Sequence, residues 1–397
     1  MDLPVILKVQ TKSTQESPHT RGGVIMTSII YVGMDVHTTN YTLCCYSMED
    51  DRFFAEVQVE PDAKNILKYF TRIEKQQSRD CRIVCGYEAG CLGYSLYHQL
   101  HAHGIDCVIL APTTMMTKPG KRIKTDRRDA RLISKCLAFH TYSPVYIPTE
   151  VDDAVKEYIR MRDDANSALA RVKQQIIAFC IRHGKIHDGK SYWTNKHLEW
   201  LSSLDLGNKI LSEVLQEYLI RYYQLREQVD MYDMRINELA QAEPYRQKVE
   251  KLGCFRGIAA HTALSFCVEV GDFRRFATAQ QFASYLGLVP GECSSGDKQQ
   301  YTGITKAGNS HLRKLLVETA QVFGRSATKS GKSVALKERQ AKCDSLTVAY
   351  ADKANARLKK KYFKIAMRSK VNIAKTAVAR EMACFIWGMM TDNISCA

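Results

Sequence analysis

Long hydrophobic runs are missing from this 397-residue sequence, in which no uninterrupted apolar stretch reaches the roughly 18 residues that a membrane-spanning helix needs. A secretory signal is missing too, because the apolar stretch from Leu3 to Leu7 is short and leads directly into polar residues from Lys8 to Glu16. The sequence also lacks internal repeats and low-complexity segments. These absences exclude the membrane-spanning and secreted classes, and we expect a soluble, cytoplasmic protein with no membrane partner.

Closely spaced cysteine pairs are also absent. The fourteen cysteines are scattered from Cys44 to Cys396, and no two of them are separated by two residues. This distribution argues against a disulfide framework and against a zinc site. Cys81, Cys85 and Cys91 lie near a predicted strand, where a cysteine usually acts as a small buried hydrophobic residue. We therefore expect core thiols in a reducing compartment.

Acidic residues are outnumbered, with 42 Asp and Glu against 57 Lys and Arg, so that the formal net charge is +15. Much of the excess is clustered in two segments. The first contains Lys118, Lys121, Arg122, Lys124, Arg127, Arg128 and Arg131. The second contains Arg357, Lys359, Lys360, Lys361, Lys364, Arg368 and Lys370. A dispersed surplus would favour simple solubility, whereas this clustering favours a nucleic-acid partner.

The first region of the chain, about 28–145, alternates strand and helix patterns. Three consecutive strand patterns are followed by helix, strand, helix, strand and helix, and the run Ile29–Val36 is typical of a buried strand. Hydrophobic residues make up 45% of the chain, which is enough for two or three folded domains at this length. The pattern predicts an α/β domain with a mixed sheet.

The second region, about 150–250, is helical and nearly free of proline. Nine apolar residues in it repeat with alternating spacings of four and three. They are Leu211, Leu215, Tyr218, Tyr222, Leu225, Val229, Tyr232, Ile236 and Leu239. This seam is typical of a coiled coil and predicts a dimerising or hairpin helix. One amphipathic helix packed on its own domain is the alternative.

The third region begins near Leu252. Pro290–Gly308 is rich in glycine and polar residues and predicts a loop or hairpin. Asn309 predicts the N-cap of a helix over residues 310–322. The tail, residues 330–397, is basic and then amphipathic.

Four acidic residues occupy positions that suggest chemistry. Asp35 ends the first apolar strand, Glu88 follows the fourth, and Asp126 and Asp129 open a helix at a spacing that places both on one face. An acid at the end of a buried strand is unfavourable unless it meets a cation or hydrogen bonds. Oxygen ligands suit Mg or Mn, and a pair of such ions can promote phosphoryl transfer.

Each acid also has a structural explanation of its own. Asp35 could cap a turn, Glu88 could pair with a nearby cation, and Asp126 and Asp129 could simply favour a helix start. Taken together, an acid on the first strand, a second after the fourth and a pair opening a late helix form the ribonuclease H arrangement, which supports two-metal phosphodiester chemistry.

Three motifs in the first region resemble the RuvC-like DEDD domain of transposases of the insertion sequence 110 family. They are Gly33-Met34-Asp35-Val36-His37, Tyr87-Glu88-Ala89-Gly90 and Lys124-Thr125-Asp126-Arg127-Arg128-Asp129-Ala130-Arg131. In the second region, Arg182-His183-Gly184-Lys185 with Trp193-Thr194 is similar to the subgroup typified by insertion sequence 1111.

The third region resembles the second conserved domain of the same family. The matching residues are Gly253, Gly271-Asp272-Phe273, Phe276, Leu286-Gly287-Leu288-Val289-Pro290, Ser294-Ser295-Gly296, Gly303-Ile304-Thr305-Lys306-Ala307-Gly308-Asn309 and Leu312-Arg313. The segment Cys254–Ala263 departs from the family, because it keeps only Gly257-Ile258 and Thr262-Ala263 where the family often carries a hairpin that grips the DNA backbone.

Pattern and resemblance together predict five regions. They are a disordered leader over 1–27, an RNase H-like (RuvC-like) catalytic domain over 28–148, a helical coiled-coil dimerisation region over 149–250, a mostly helical, serine-bearing transposase domain over 251–329 and a basic helical tail over 330–397.

The resemblance also implies the site residues. Asp35, Glu88, Asp126 and Asp129 match the family's metal-binding acids, with Mg or Mn as the cofactor. Ser295, directly before Gly296, matches the serine that attacks a DNA phosphodiester and holds a covalent phosphoserine intermediate. Ser294 is a rival for this role and Thr305 a lesser one. Predicted nucleic-acid contacts are Lys121, Arg122, Lys124, Arg127, Arg128, Lys306 and Arg313.

The implied partners are donor and target DNA, a structured noncoding bridge RNA that selects both, and further copies of this chain in a dimer that becomes a tetramer when active. The acids and the serine then form a composite site from different subunits, and the protein acts on the nucleoid. A RuvC-like structure-specific nuclease that uses water is one alternative, although it needs no serine-bearing domain. A noncatalytic nucleic-acid-binding protein is the other, although the four acids argue against it.

Overall fold

The computed structural model describes residues 28–77, 81–115, 125–292, 300–325 and 331–394. The chain divides into two compact units, with the division between Ile147 and Pro148. The predicted leader, residues 1–27, lies outside the described residues. Among the helices that are described, none combines the length and the apolar character needed to cross a membrane.

A five-stranded mixed sheet forms the centre of the first unit. Its strands are β1 (Ser28–Val36), β2 (Tyr41–Ser47), β3 (Arg52–Val59), β4 (Cys81–Glu88) and β5 (Asp106–Leu110). They lie in the order β3-β2-β1-β4-β5; β2 is antiparallel to β1 and β3, while β1, β4 and β5 are mutually parallel. The predicted mixed sheet is therefore confirmed.

Helices cover both faces of this sheet. They are α1 (Ala63–Gln76), α2 (Ser95–Ala102) and α3 (Asp126–Ala138). Apolar residues of α1 and α2, including Phe70 and Leu100, share a core with even-numbered positions of β1, whereas Ile133 and Leu137 of α3 pack on the opposite face. Burial on both faces explains why β1 reads as a continuous apolar run rather than an alternating one.

Helix α3 approaches β1 more closely than a side chain would allow. A Cβ atom placed on Gly33 would lie 2.0 Å from the backbone oxygen of Ala130 and 2.3 Å from the backbone nitrogen of Ser134. Only glycine permits this contact between main chains. The contact fixes the first turn of α3, with Asp126 and Asp129, against the end of β1.

The cysteine expectation holds in part. Cys85 is buried in β4, and Cys81 is half-buried. The prediction of a core thiol is wrong for Cys91, which is exposed in the turn that precedes α2 and is therefore outside the sheet.

Two 33-residue helices, α4 (Glu150–Arg182) and α6 (Lys209–Gln241), pack against each other in the second unit, with α5 (Asn195–Ser202) between them in sequence. They are antiparallel, since Tyr158 contacts Tyr232 and Phe179 contacts Tyr218. All nine residues of the predicted seam are buried or half-buried. Because α4 of the same chain contacts this seam, the hairpin alternative describes the observed packing, while dimerisation through this region stays a prediction.

The rest of the second unit is a mostly helical core. Its helices are α7 (Arg246–Gly253), α8 (Ala260–Val270), α9 (Ala279–Tyr285), α10 (Ser310–Ala320), α11 (Val334–Gln340), α12 (Ser345–Ala366) and α13 (Val371–Met390). A small antiparallel hairpin, β6 (Pro290–Glu292) and β7 (Tyr301–Ile304), lies within the segment predicted as a loop or hairpin. Asn309 caps α10 by accepting from the backbone N–H of Leu312, as predicted. The amphipathic tail buries Leu358 and Ile386 in the same core as Leu316.

Candidate active site

Two of the predicted acids leave the sheet at the same edge. Met34 and Tyr87 are register partners on the parallel strands β1 and β4, so Asp35 and Glu88 occupy equivalent positions one residue further on. Strand alternation places both on the face that α3 covers, the face of Gly33 and Gly86. The backbone therefore brings two carboxylates from distant parts of the sequence to one end of neighbouring strands.

The other two acids face the end of β1 from the first turn of α3. The negative charges of Asp129 and Asp126 are close enough to contribute to a raised pKa at Asp35. We call these four residues, Asp35, Glu88, Asp126 and Asp129, the acidic edge. The close main-chain contact at Gly33 holds α3 against the end of β1. Helix α3 thereby contributes Asp126 and Asp129 to the acidic edge.

A histidine joins the acidic edge. His37 Nε2 lies 3.3 Å from Asp35 Oδ2 and 4.0 Å from Asp126 Oδ1. One ligand atom from each of Asp35, His37 and Asp126 lies within 4.8 Å of the others, which is a separation that one divalent ion can bridge. His37 was not predicted as a site residue, although it belongs to the first family-like motif and follows Asp35 by two positions.

Asp35 carries an unsatisfied oxygen. Its side chain is 15% exposed, and Oδ2 is buried without a hydrogen-bond partner among the described residues, since the nearby His37 Nε2 does not meet it at hydrogen-bonding geometry. Thr42, its register partner on β2, has an equally unsatisfied Oγ1. Burial raises the pKa of Asp35, the charge of His37 lowers it, and Asp129 and Asp126 raise it further. A buried oxygen of this kind is unfavourable unless a cation binds it.

The acidic edge therefore fits a divalent metal ion. Asp35 offers a desolvated oxygen and Asp126 a half-exposed one, and hard cations such as Mg and Mn prefer such ligands. Glu88 is exposed at the end of β4 and Asp129 is half-buried. Neither Glu88 nor Asp129 belongs to the compact ligand group found among the described residues.

An open cavity of about 410 Å³ lies beside Asp126 of the acidic edge. Thr42, Gln58, Thr125 and Asp126 are among the residues that line it. It is wide enough for a phosphate and part of a sugar, so a nucleic-acid backbone has room beside Asp126.

The predicted basic contacts differ in their surroundings. Arg127 lies 3.2 Å from Glu56, which also receives Arg131 at 2.7 Å. Arg128 is exposed on the first turn of α3. Lys121, Arg122 and Lys124 fall outside the described residues.

The serine candidates fall between β6 and β7 in sequence. Ser294 and Ser295 themselves lie outside the described residues, whereas the base of the hairpin lies within them. Lys306 adopts a left-handed φ of 57° and donates its N–H to Gly287 O at 3.1 Å. A Cβ on Gly308 would lie 2.0 Å from Tyr285 O. The chain that leaves β7 is therefore fixed against the end of α9.

Thr305, the lesser alternative to Ser295 as the nucleophile, is exposed and donates its backbone N–H to Val289 O at 2.9 Å. Arg313 donates from a guanidinium nitrogen to Leu286 O at 2.9 Å and so supports the end of α9. Lys306 is exposed beside it. Phosphate contacts by Lys306 and Arg313 stay predictions.

A buried polar network was not anticipated from the sequence. The ring of His311 lies between two carboxylates, with Nδ1 2.7 Å from Glu269 Oε1 and Nε2 2.7 Å from Asp163 Oδ2. The Arg162 guanidinium donates a hydrogen bond to Asp163 at 3.1 Å and two hydrogen bonds to Asp233 at 2.7 and 2.8 Å. We call Arg162, Asp163, Glu269 and His311 the histidine network. Asp163 lies 148 positions before His311, and no sequence pattern links them.

The histidine network sets the pKa values of its members as well as their positions. Burial alone would lower the pKa of His311, but hydrogen bonds to Asp163 and Glu269, with their charges, raise it to about 9. Burial tends to raise the pKa of Asp163 and of Glu269. At Asp163 it is outweighed by His261, whose Nε2 lies 2.9 Å from Oδ1, and by His311 and Arg162, so the pKa is lowered. At Glu269 the hydrogen bonds from His311 and Asn309 outweigh it in the same way. Asn309, the cap of α10, also donates to Glu269. The charged network therefore secures the start of α10, directly after the hairpin that frames the serines.

Comparison with known proteins agrees with both halves of this arrangement. A family described as Transposase IS116/IS110/IS902 family matches residues 250–338, and the DEDD transposase family of IS110 elements matches residues 32–181.

Among curated relatives, a putative transposase y4qE of Sinorhizobium fredii is 36% identical over 307 residues, 77% of this chain and 75% of the relative. A transposase for insertion sequence element IS1533 of Leptospira borgpetersenii is 32% identical over 340 residues, 84% and 95% of the two chains. A transposase for insertion sequence element IS1111A of Coxiella burnetii is 26% identical over 251 residues, 61% and 66%.

Proposed function

The chain belongs to the IS116/IS110/IS902 family of insertion-sequence transposases, and we propose that it cleaves and rejoins DNA through Ser295 with a metal-loaded acidic edge. Membership implies DNA cleavage and strand transfer on a DNA substrate. The observation that carries the proposal is Asp35, which has a buried, unsatisfied oxygen and offers a ligand atom within 4.8 Å of one from Asp126.

The topology supports an RNase H-like, RuvC-like assignment for the first unit. The strand order β3-β2-β1-β4-β5, with β2 antiparallel to its neighbours, matches that fold, and so does an acid at the end of the first strand. Asp35 and Asp126 would hold the metal, with Glu88 and Asp129 as further ligands. When bound, Mg or Mn supplies positive charge that neutralises a phosphodiester.

The protein side chains then have distinct tasks. His37 Nε2 lies beside both Asp35 and Asp126 and would supply a further ligand atom to the same ion. Gly33 keeps α3 on β1, so a main-chain contact sets the spacing of the backbone positions that carry these carboxylates. Arg127 and Arg131 neutralise Glu56, which keeps a further negative charge from repelling DNA.

The serine step is a transesterification. The Ser295 hydroxyl oxygen attacks the DNA phosphorus and gives up its proton, a serine–phosphate ester forms, and the DNA oxygen that leaves takes up a proton. The number of phosphodiesters is conserved, so rejoining to a second strand needs no further energy source. The fixed base of the β6–β7 hairpin, on either side of the segment that contains Ser295 in the sequence, supports the assignment of the serine to this domain.

The remaining parts of the proposal concern partners. A net charge of +15 and clustered cations support binding to donor DNA, target DNA and a structured bridge RNA. We propose that copies of this chain assemble as a dimer, and as a tetramer when active, on the bacterial nucleoid in the cytoplasm.

The test compares Ser295→Ala with the matched variant Ser294→Ala in a strand-exchange assay that contains donor DNA, target DNA and the element's RNA. Ser295→Ala should abolish exchange and the covalent protein–DNA adduct while nucleic-acid binding is retained. Exchange that survives in Ser295→Ala but is lost in Ser294→Ala moves the assignment by one residue. Cleavage without an adduct in either variant indicates the water-using nuclease instead.

A further inference from the structure

The turn between α4 and α5, together with α5, carries aromatic rings that the transposition chemistry does not use. His187, Tyr192, His197 and Trp200 form an aromatic cluster in which ring centroids lie 4.8 Å apart for His187 and His197, 5.0 Å for His187 and Trp200, and 5.0 Å for Tyr192 and His197. The indole of Trp200 stacks on His197 at an angle of 24°. This concentration of rings exceeds what joining two helices requires.

A cavity of about 130 Å³ opens among these rings. Its other walls are apolar, with Ile177, Ile186 and Leu201 among them. For scale, an engineered apolar protein cavity of about 150 Å³ binds benzene. The cavity therefore has room for one six-membered ring, and a two-ring purine exceeds it.

Two side chains that can donate hydrogen bonds are among those that line the same space. His197 is almost fully buried, and its Nδ1 accepts the backbone N–H of Trp193 at 3.1 Å. Burial, with a smaller effect of His187, lowers the pKa of His197. Because Nδ1 accepts a hydrogen bond, the ring carries its proton on Nε2. Lys185, half-buried on the cavity wall, is a second donor. A ligand with carbonyl acceptors on a flat ring matches this set.

The surface around the cavity is strongly basic. Residues 171–196 contain six Lys and Arg and a single acid, Asp188. Lys173 packs over the rings of Trp193 and Tyr222. Within the described part of the chain, no acid forms an ion pair with Arg182, Lys185, Lys190 or Lys196. The charge around the opening therefore suits a polyanion.

We propose that this cavity binds an unpaired pyrimidine base of a nucleic-acid strand. The base enters between Tyr192 and Trp200, its carbonyl oxygens accept from His197 Nε2 and Lys185, and the neighbouring cations hold the phosphates on either side. The proposal rests on the proposed function only in requiring that the chain binds nucleic acid. An apolar protein side chain would fill the cavity equally well, but it would leave the surrounding positive charge without a partner.

The experiment measures binding of the full-length protein to labelled single strands by fluorescence anisotropy. A thymidine decamer, its uridine RNA counterpart, an adenosine decamer and an abasic decamer of the same charge are compared at one salt concentration. The pyrimidine strands should bind about tenfold more tightly than the abasic strand, within the range that stacking of one base provides. Binding of the pyrimidine strands should also quench the fluorescence of Trp200, and this quenching should be absent in Trp200→Phe.

Two surface variants identify the cavity as the site. Tyr192→Ala should reduce the preference for pyrimidine over abasic strands, whereas Tyr192→Phe keeps the ring and the preference. Lys190→Ala, outside the cavity wall, is the matched control and should weaken all strands equally. Ile186→Trp, at a position that is 67% exposed, should block the cavity without disturbing the core.

Equal binding of pyrimidine and abasic strands overturns the base pocket while leaving the transposase proposal intact, and so does tighter binding of the adenosine strand. Failure to bind any strand or duplex contradicts nucleic-acid binding itself. Preference for the DNA or the RNA pyrimidine strand identifies which nucleic acid supplies the base.

Discussion

Asp35 in the first unit and Asp163 in the second are both largely buried aspartates in opposite electrostatic surroundings. Asp35 has one oxygen without a hydrogen-bond partner among the described residues and two more acids nearby, and its pKa is raised. Asp163 forms ion pairs with His311 and Arg162, and its pKa is lowered. The difference separates a carboxylate that needs an external cation from one whose cations are part of the fold.

This comparison assigns the two regions different tasks. The acidic edge is unfavourable to folding and suited to binding, which is typical of an active site. The histidine network stabilises the fold and holds α10 in place beside the serine hairpin. Substitution of the two kinds of aspartate should therefore have opposite consequences for activity and stability.

The largest expected effect is on catalysis. Asp126→Asn should reduce metal-dependent strand cleavage by more than about a hundredfold. Residues that only hydrogen-bond to a metal ligand typically contribute about 10- to 100-fold to metal affinity or activity, and a direct ligand should contribute more. Asp50→Asn, at an exposed acid in the turn after β2, is the matched control and should retain activity. Full cleavage by Asp126→Asn, or by the wild type in the presence of a chelator, would remove the metal role.

The second-largest expected effect is on the stability of the second unit. Asp163→Asn should lower the free energy of unfolding by about 3 kcal/mol, since His311 and Arg162 each lose a charged hydrogen-bond partner. Arg162 keeps Asp233 and His311 keeps Glu269, so the loss is partial. Denaturant titration of this variant and of Asp188→Asn, at an exposed position, provides the measurement. Similar midpoints for the two variants would contradict the structural role of the network.

The pH dependence of stability has a defined sign. His311 has a folded-state pKa of about 9, above its unfolded value near 6.5, so its stabilisation is complete below about pH 6.5 and is lost as the pH rises through about 9. The loss amounts to about 3 kcal/mol at most. Denaturant titrations from pH 6 to 10 should show this decline in the wild type and a flatter profile in His311→Gln. An identical decline in both proteins would place the titration elsewhere.

The smallest effect concerns Asp35. Its raised pKa means that the free energy of unfolding falls as the pH rises from the unfolded pKa to the folded one, so the carboxylate destabilises the fold at neutral pH. Asp35→Asn should therefore raise the melting temperature by about 2–4 °C for about 1 kcal/mol. Magnesium should raise the melting temperature of the wild type but not of this variant. A drop in stability on substitution would mean that Asp35 is already satisfied within the chain.

Much of this arrangement could be predicted from local sequence. The apolar run Ile29–Val36 and the strand–helix alternation predicted the sheet, and Asn309 predicted the start of α10 because capping is a local interaction. The heptad spacing predicted which face of α6 is buried. It could not identify the helix that covers that face, since a seam within one chain and a seam between two have the same pattern.

The missed features depend on contacts between distant residues. His37 was inside a recognised motif, but its role depends on α3 bringing Asp126 within 4.0 Å. His311 and Asp163 meet only through the packing of α4 and α10, so neither residue carries a local signal. Burial also decides the direction of each pKa shift, and burial follows from tertiary structure.

The main-chain contact at Gly33 has a consequence for metal selectivity. Because α3 touches β1 through backbone atoms, the distance between the backbone positions of Asp35 and Asp126 is set by the fold and not by neighbouring side chains. A change of preferred ion, whether by natural divergence or by design, has to come from the ligands themselves. Lengthening one carboxylate by a methylene group, as in Asp126→Glu, is the simplest such adjustment.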